Sequence, residues 1–479
     1  MDHRSPSSVP RRTFLETAAA VGAGVLGHQS QVASAFPFAA DLLADGLRIA
    51  PFRFDVTPPE GHSLCGGWIK PVVAVDDPLE AIGFVLLGAG KPIVICVVDW
   101  TGLLNEANLQ WRAALAEAAQ TTPDRVTVHC VHQHNAPFAC LEAQRIVASQ
   151  GDLPDIINLQ FFDDCLDRAR QAVLAGLQQA RPINQVATGQ TRVDRVAANR
   201  RILGPTGSVV SQRGSSSRNP EHQRLPEGRI DPNLKTVAFY DGDEKVLACH
   251  YYACHPMSYY GDGRVSSDFC GLARKRRQQD EPQCVHLYFN GCGGNIGAGK
   301  YNDGSPEMRP VLTQRIYDAI VQSEAALNPQ PIRSLRWVTQ DIQPPPDRSR
   351  WNEAEIMQAI SDSRQPVVAR NRPAYTVAFL RRCAQQIPIT LSGLHINQTS
   401  LLHLPSESFV EYQLSAQSHA PERFVACAAY GDGGPWYIPT AAAYPQGGYA
   451  VSVAWCAPQI DEVLTNGIRH ILGIAAPHS

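Results

Sequence analysis

The chain has no long run of one charge. Its 42 lysines and arginines nearly balance 45 aspartates and glutamates over 479 residues, for a formal charge of −3, and the basic face a nucleic-acid binder needs is missing. Beyond the first 35 residues there is no stretch of 18 or more apolar residues, so no membrane-spanning helix is expected. There is no internal repeat. There is also no C-x-x-C pair: the thirteen cysteines are scattered, and several (Cys96, Cys249, Cys427) sit inside apolar runs, where a thiol behaves as a small buried hydrophobe. Mostly free, buried cysteines are expected rather than a disulfide framework.

The amino terminus reads as an address. Arg11-Arg12-Thr13-Phe14-Leu15, the weakly hydrophobic Ala18 to Gly27 and Ala33-Ser34-Ala35 follow the order of a twin-arginine export signal with a small-residue cleavage site. Residues 1–35 are therefore expected to be a signal peptide and 36–479 one catalytic-type domain, exported to the periplasm or beyond, with its cofactor acquired before export.

Short apolar runs alternate with amphipathic ones. Leu47 to Val56, Gly83 to Leu87, Pro92 to Val98, Val126 to Val131, Val237 to Tyr240, Val246 to Tyr252, Val285 to Phe289 and Phe424 to Ala429 read as strands. Glu106 to Gln120, Ile156 to Gln179, Met308 to Leu327, Pro373 to Gln386 and Gln459 to Leu472 carry helical periodicity. Gly88 to Lys91 and Asp241 to Lys245 look like hairpin turns. The expected class is α/β or α+β, with mixed sheets flanked by helices. Residues 203–232 lack apolar periodicity and read, like the Pro344-Pro345-Pro346 joint, as a surface excursion.

Chemistry concentrates at strand ends. In Cys130-Val-His-Gln-His-Asn-Ala-Pro-Phe138 two imidazoles stand two residues apart after an apolar run, and would share one face if the strand continued through them. Taken alone, such a pair is more often a surface or hydrogen-bonded feature than a ligand set. A second strand ends in Tyr252-Ala-Cys-His255-Pro256; His250, inside it, reads as packing. Histidines from separate strands are what a mononuclear metal site requires. Glu407, in Leu404-Pro-Ser-Glu407-Ser408, is either a ligand or a cap on the helical Phe409 to Ser415. Tyr437 lies in the glycine-rich stretch Gly431-Asp-Gly-Gly-Pro-Trp-Tyr437 and by itself reads as an interfacial aromatic. The glycine cluster from Asn290 to Gly299 lacks the G-K-[ST] ending of a P-loop and the G-x-G-x-x-G context of a dinucleotide site, so its glycines point to close backbone approach instead.

In this order the segments resemble the catalytic domain of the neutral/alkaline non-lysosomal ceramidase family: His132-Gln-His134-Asn-Ala-Pro137, Asn199-Arg200-Arg201, Tyr252-Ala-Cys-His255, Asn290-Gly-Cys-Gly-Gly-Asn295-Ile-Gly297, Pro405-Ser406-Glu407 and Trp436-Tyr437-Ile-Pro-Thr440. The resemblance runs from about residue 47 to 450. It implies zinc held by His132, His255, Glu407 and Tyr437, with His134, Arg200 and Tyr437 acting on the substrate carbonyl or oxyanion. It also implies a substrate-lining loop containing Asn290, Gly294, Asn295 and Gly297. The family's loop serine falls on Gly297, which has no hydroxyl, so water becomes the expected attacker. Long members continue into a carboxy-terminal β-domain, for which no counterpart is expected after the helical Gln459 to Leu472. Asp99 and Asp268 are candidates to orient the histidines. The expected activity is zinc-dependent hydrolysis of an amide in an N-acyl lipid or other acylated small molecule. The alternatives are an acyl-ester or other acyl hydrolase unrelated to ceramide, and a non-catalytic binding or scaffold protein that keeps the fold.

Overall fold

The computed structural model describes residues 46–475; the twin-arginine segment lies outside them. The first sheet has five strands, with Val126–Cys130 at one edge, then Ile93–Val98, Glu80–Leu87 and Arg48–Asp55, and the short Arg181–Pro182 at the other edge. Ile93–Val98 and Val126–Cys130 run parallel, joined by a crossover through helix Glu106–Ala118; the other pairings are antiparallel, so the sheet is mixed. The second sheet, also of five strands, runs Val285–Asn290, Glu244–Tyr252, Asn233–Asp241, Gln185–Arg192 and Gln330–Pro331, with the first two parallel.

These two sheets face one another through alternate residues. Ile49, Phe84 and Ile95 of the first pack with Val237, Phe239 and Leu287 of the second, and the Phe84 and Phe239 rings are 5.9 Å apart. On the outer face of the first sheet, Ala50, Phe52, Val94 and Cys96 meet helices Glu106–Ala118 and Leu159–Leu177. On the outer face of the second, helices Asp268–Asp280 and Met308–Ala325 cover His250 and His286. A four-stranded sheet of Leu335–Ile342, Ile389–Ile396, Thr399–His403 and Phe424–Ala428 carries helix Ile460–Leu472, which ends in the left-handed Gly473 (φ 72°).

Every strand and helix read from the apolar pattern is present, with ends shifted by a few residues. Hairpins join at Gly88 to Pro92 and at Gly242, as expected. All thirteen cysteines are unpaired and all but Cys383 are buried. Among the described residues no helix is long and apolar enough to cross a membrane. One expectation needs correction. Residues 203–232 are not merely superficial: Arg213 is buried, and Gly214 and Ser215 pack against the backbone at Gly297, so the segment buttresses the glycine loop.

Candidate metal centre

The strand carrying the His-x-His pair stops at Cys130, before the histidines. His132 takes a positive φ of 78°, an unfavourable conformation for a branched side chain that surrounding bonds must enforce. Those bonds run to the loop after the parallel neighbour: Val131 N donates to Val98 O (3.0 Å), His132 N to Trp100 O (2.9 Å), and Thr101 N to Pro137 O (2.8 Å). A turn, not strand alternation, therefore brings the His132 and His134 rings together, 5.0 Å apart and nearly perpendicular.

His255 lies three residues beyond the end of Glu244–Tyr252, in a loop clamped by the glycine cluster. Its backbone N–H donates to Ile296 O, and its Nδ1 faces Gly293 O at 2.7 Å and Ile296 O at 3.0 Å. His132 Nδ1 faces Thr101 O at 2.7 Å. Carbonyls only accept, so both Nδ1 atoms carry the proton and both Nε2 atoms present lone pairs. Those lone pairs converge on Glu407: Oε2 is 3.0 Å from His255 Nε2 and 3.4 Å from His132 Nε2. The two rings are 4.9 Å apart.

Glu407 and Tyr437 arrive as directly paired residues of two short parallel strands, Glu407–Ser408 and Tyr437–Ile438. A Cβ at Gly294 would collide with the Glu407 carbonyl, which is why glycine stands there. Tyr437 Oη lies 3.4 Å from His255 Nε2 and accepts from Arg200 Nη1 at 3.1 Å. Ser406, Tyr430 and Trp436 share the positive φ of His132, so strained backbone clusters around these side chains.

Charges follow from burial. Burial, then the Arg200 charge, hold His255 neutral down to about pH 4, and burial with the neighbouring imidazoles puts His134 well below the ordinary histidine value. Burial opposes ionisation of Glu407, but His132 and His255 outweigh it and keep its carboxyl well below the usual range. Burial also pulls against Arg200, and the Tyr437 phenol and Glu407 carboxylate more than restore its charge.

Two imidazole nitrogens and a carboxylate oxygen at 3.0 to 3.4 Å need a cation between them, a proton or a metal ion. His132 Nε2 and Glu407 Oε2 are buried with no hydrogen-bond partner among the described residues. Two imidazole nitrogens, a carboxylate and a phenol oxygen form a donor set that fits zinc. One ring nitrogen from each of His132, His134 and His255 lies within 4.8 Å of the others, so His134 is within reach of the same centre.

Several expected roles do not match the contacts. The Asp99 carboxylate accepts from Glu80 N (3.1 Å) and pairs with Arg274 (3.3 Å), and Asp268 accepts from Ser258 N and Phe269 N; neither touches a histidine, because backbone carbonyls already occupy both Nδ1 positions. Asn290 is spent on Val131 O and Cys254 N. Asn295 accepts from Val410 N and donates to Glu411, so it, not Glu407, caps helix Val410–His419. The glycine loop is thus scaffolding for His255 and Glu407, with Gly297 alone approaching the Arg200 side chain. Residues the sequence reading left out also line the centre. Tyr430 stacks on His132 (4.4 Å), Tyr260 packs edge-on to His134 (5.3 Å), and Tyr449 lies under the Arg200 guanidinium (5.9 Å). Tyr430 stood in the same glycine-rich stretch as Tyr437, but nothing in its spacing set it apart. A cavity of about 540 Å³ beside the neighbouring Arg201 is lined by none of these side chains.

Among solved structures, a ceramidase complexed with C2 superposes with a TM-score of 0.62 at 15% identity, covering 91% of this chain and 76% of that one. The neutral ceramidase of Pseudomonas aeruginosa gives 0.61 at 16%, with the same coverage. The chain has the neutral ceramidase fold. No family model and no curated protein matches it by sequence. The ceramidase-like fold therefore rests on three-dimensional likeness, which also explains why strand-end motifs, and not overall similarity, carry the resemblance.

Proposed function

We propose that this protein is a zinc-dependent, ceramidase-like hydrolase of amide bonds, acting on an N-acyl lipid or another acylated small molecule. The observation that carries the reading is the convergence of the His132 and His255 Nε2 atoms on Glu407 Oε2, at 3.4 and 3.0 Å, while backbone carbonyls hold both Nδ1 atoms. His132, His255, Glu407 and Tyr437 would hold the metal. Bound there, zinc supplies Lewis-acid polarisation of the acyl carbonyl and acidification of the attacking water. Arg200, fixed by Tyr437 and flanked by Tyr449, supplies a buried cation for the charge that develops on the carbonyl oxygen. His134, neutral and with Nε2 unpartnered among the described residues, would hydrogen-bond to the reacting acyl group beside Arg200. Gly297 gives no hydroxyl for an acyl-enzyme, which favours direct attack by water.

The test is release of fatty acid from N-acylsphingosine by the metal-loaded protein, beside zinc stoichiometry by elemental analysis. One zinc per chain with turnover of the amide is expected. Turnover confined to short acyl esters would reject the amide reading, and a folded protein that takes up no zinc would favour the scaffold alternative. Export through the twin-arginine route remains part of the proposal and is read out by fusing residues 1–40 to a reporter active only outside the cytoplasm.

A further inference from the structure

The three imidazoles at the centre are not held alike. Carbonyl oxygens fix His132 and His255 with the proton on Nδ1. His134 Nδ1 instead faces the thiol of Cys65, with Sγ at 3.6 Å. A thiol can donate or accept, so this partner leaves open what a carbonyl decides. Sulfur is a weak acceptor, and among the described residues Cys65 Sγ has no other hydrogen-bond partner; its proton has one acceptor within reach, the Nδ1 lone pair.

We propose that Cys65 is a positioning residue: its S–H donates to His134 Nδ1, which places the single ring proton on Nε2 and makes His134 a hydrogen-bond donor to the substrate, while His132 and His255 present lone pairs to the metal. The role given to His134 rests on the hydrolase reading above; the tautomer does not. The alternative, with Nδ1–H pointing at sulfur, would turn a third Nε2 lone pair toward His132, His255 and Glu407 and make His134 a further ligand.

The backbone shows that the thiol is held in place rather than left over. Cys65 has φ 47° and precedes two glycines at 68° and 80°, a run of left-handed residues that strains the one that is not glycine. Cys65 N donates to Ala136 O (2.8 Å), tying the turn to the histidine loop itself. Asn371 Nδ2 donates to Gly66 O (3.1 Å), and Tyr375, bonded through its hydroxyl to Phe138 O (3.0 Å), fills the space a Gly66 side chain would need. Glycine at 65 would relieve the strain, yet the turn carries a side chain whose sulfur meets His134.

The experiment is a long-range proton–nitrogen NMR correlation on the full-length, zinc-loaded protein labelled with ¹⁵N-histidine, with the His134 signals assigned by their loss in H134Q. The expected result is an Nε2–H pattern in the wild type, kept in C65S, where a hydroxyl donates in place of the thiol, and mixed or reversed in C65A. An Nδ1–H or metal-bound pattern in the wild type, or an unchanged pattern in C65A, overturns the proposal. Should C65A not fold, the wild-type spectrum decides alone. Kinetics add a second readout: C65A is expected to lower kcat about tenfold with KM within twofold and zinc content unchanged, and C65S to recover most of it. Wild-type kcat in C65A also overturns the proposal. Absence of amide turnover in the wild type would instead fault the hydrolase reading and leave the tautomer result standing.

Discussion

Among the described residues, two buried histidine clusters bring ligand atoms within 4.8 Å of one another, and they differ in what meets their negative charge. At the candidate centre, His132 and His255 Nε2 converge on Glu407, and the one cation at hand among the described residues, Arg200, reaches Tyr437 (3.1 Å) and the edge of His255 (3.3 Å) without pairing with the carboxylate. Behind the second sheet, His250 and His286 lie 5.4 Å apart beside Glu281 and Glu324, again buried. There Lys245 sits 2.7 Å from both carboxylates and Arg277 joins them, so the negative charge is already met. Composition and distance do not separate these clusters. Whether the protein itself supplies the counter-charge does.

The strongest way to break the contrast is to remove ligands from the first cluster. H132A with H255A should abolish zinc binding, measured by elemental analysis, and lower turnover at least about 1000-fold, since metal polarisation contributes several kcal/mol to the barrier. If zinc stays at one per chain in the double variant, the metal belongs elsewhere and the second cluster becomes the first place to look. Next in size is R200A. Loss of one preorganised donor at the developing charge should lower kcat roughly 100- to 1000-fold with zinc stoichiometry unchanged; lost zinc would show that Arg200 instead holds the ligands in place.

In the second cluster the sensitive residue is the lysine. K245M leaves two largely buried carboxylates facing only Arg277 and His286 among the described residues and should destabilise the fold by about 3 kcal/mol in a urea titration, the lower end for a broken buried pair because Glu281 keeps some exposure. If the contrast is sound, K245M also gains a second, weaker zinc that the wild type lacks. Acid supplies a smaller effect. Burial works against Glu281, but His286 and Lys245 outweigh it and hold its carboxyl at about 2, against 4.5 unperturbed. Its contribution is present above the unfolded value and is lost as pH falls toward 2. After discounting for solvent screening it should be about 1 kcal/mol, read as a wild-type loss of urea midpoint between pH 5 and pH 2 that is smaller in K245M, where His286 and Arg277 remain.

How much of this was legible in the sequence depends on what marked each element. β-branched apolar runs gave the long central strands of the first two sheets, and the histidines just beyond two of them located the centre. Gln185–Arg192, with Gln, Thr and Arg along it, and helix Asp268–Asp280, with its run of Arg-Lys-Arg-Arg, were not recognised, because each buries a narrow face and tertiary contacts outweigh weak periodicity. The helix expected to start at Pro373 starts at Val367. Proline suits a first turn, but here Arg370 is anchored on Asp152 and Asn371 on Gly66, so the helix is fixed upstream of the ring. At the centre, the ligand-type residues were readable as motifs. The carbonyls that orient them were not, since backbone groups leave no trace in residue identity; that is why Asp99 and Asp268 were natural but mistaken choices. Cys65 was equally hidden, because its partner is 69 positions away.

The smallest effect concerns the glycine loop, which supports the first cluster and has no counterpart at the second. A Cβ on Gly297 would stand 3.3 Å from Gly214 O and 3.4 Å from both Arg200 Cγ and Ser215 Cα, tight contacts to a segment that can shift by a few tenths of an ångström. G297S should therefore fold with a loss of about 1 kcal/mol, seen as a slightly lower melting temperature. It would place a hydroxyl beside Arg200. If water is the attacker, the rate should change by less than about tenfold, and mass spectrometry of the quenched reaction should show no acyl adduct, because a serine without a neighbouring base to take its proton is a poor nucleophile. A trapped acyl-serine would mean that the pocket already holds such a base, and would move this chain toward covalent chemistry by a single substitution.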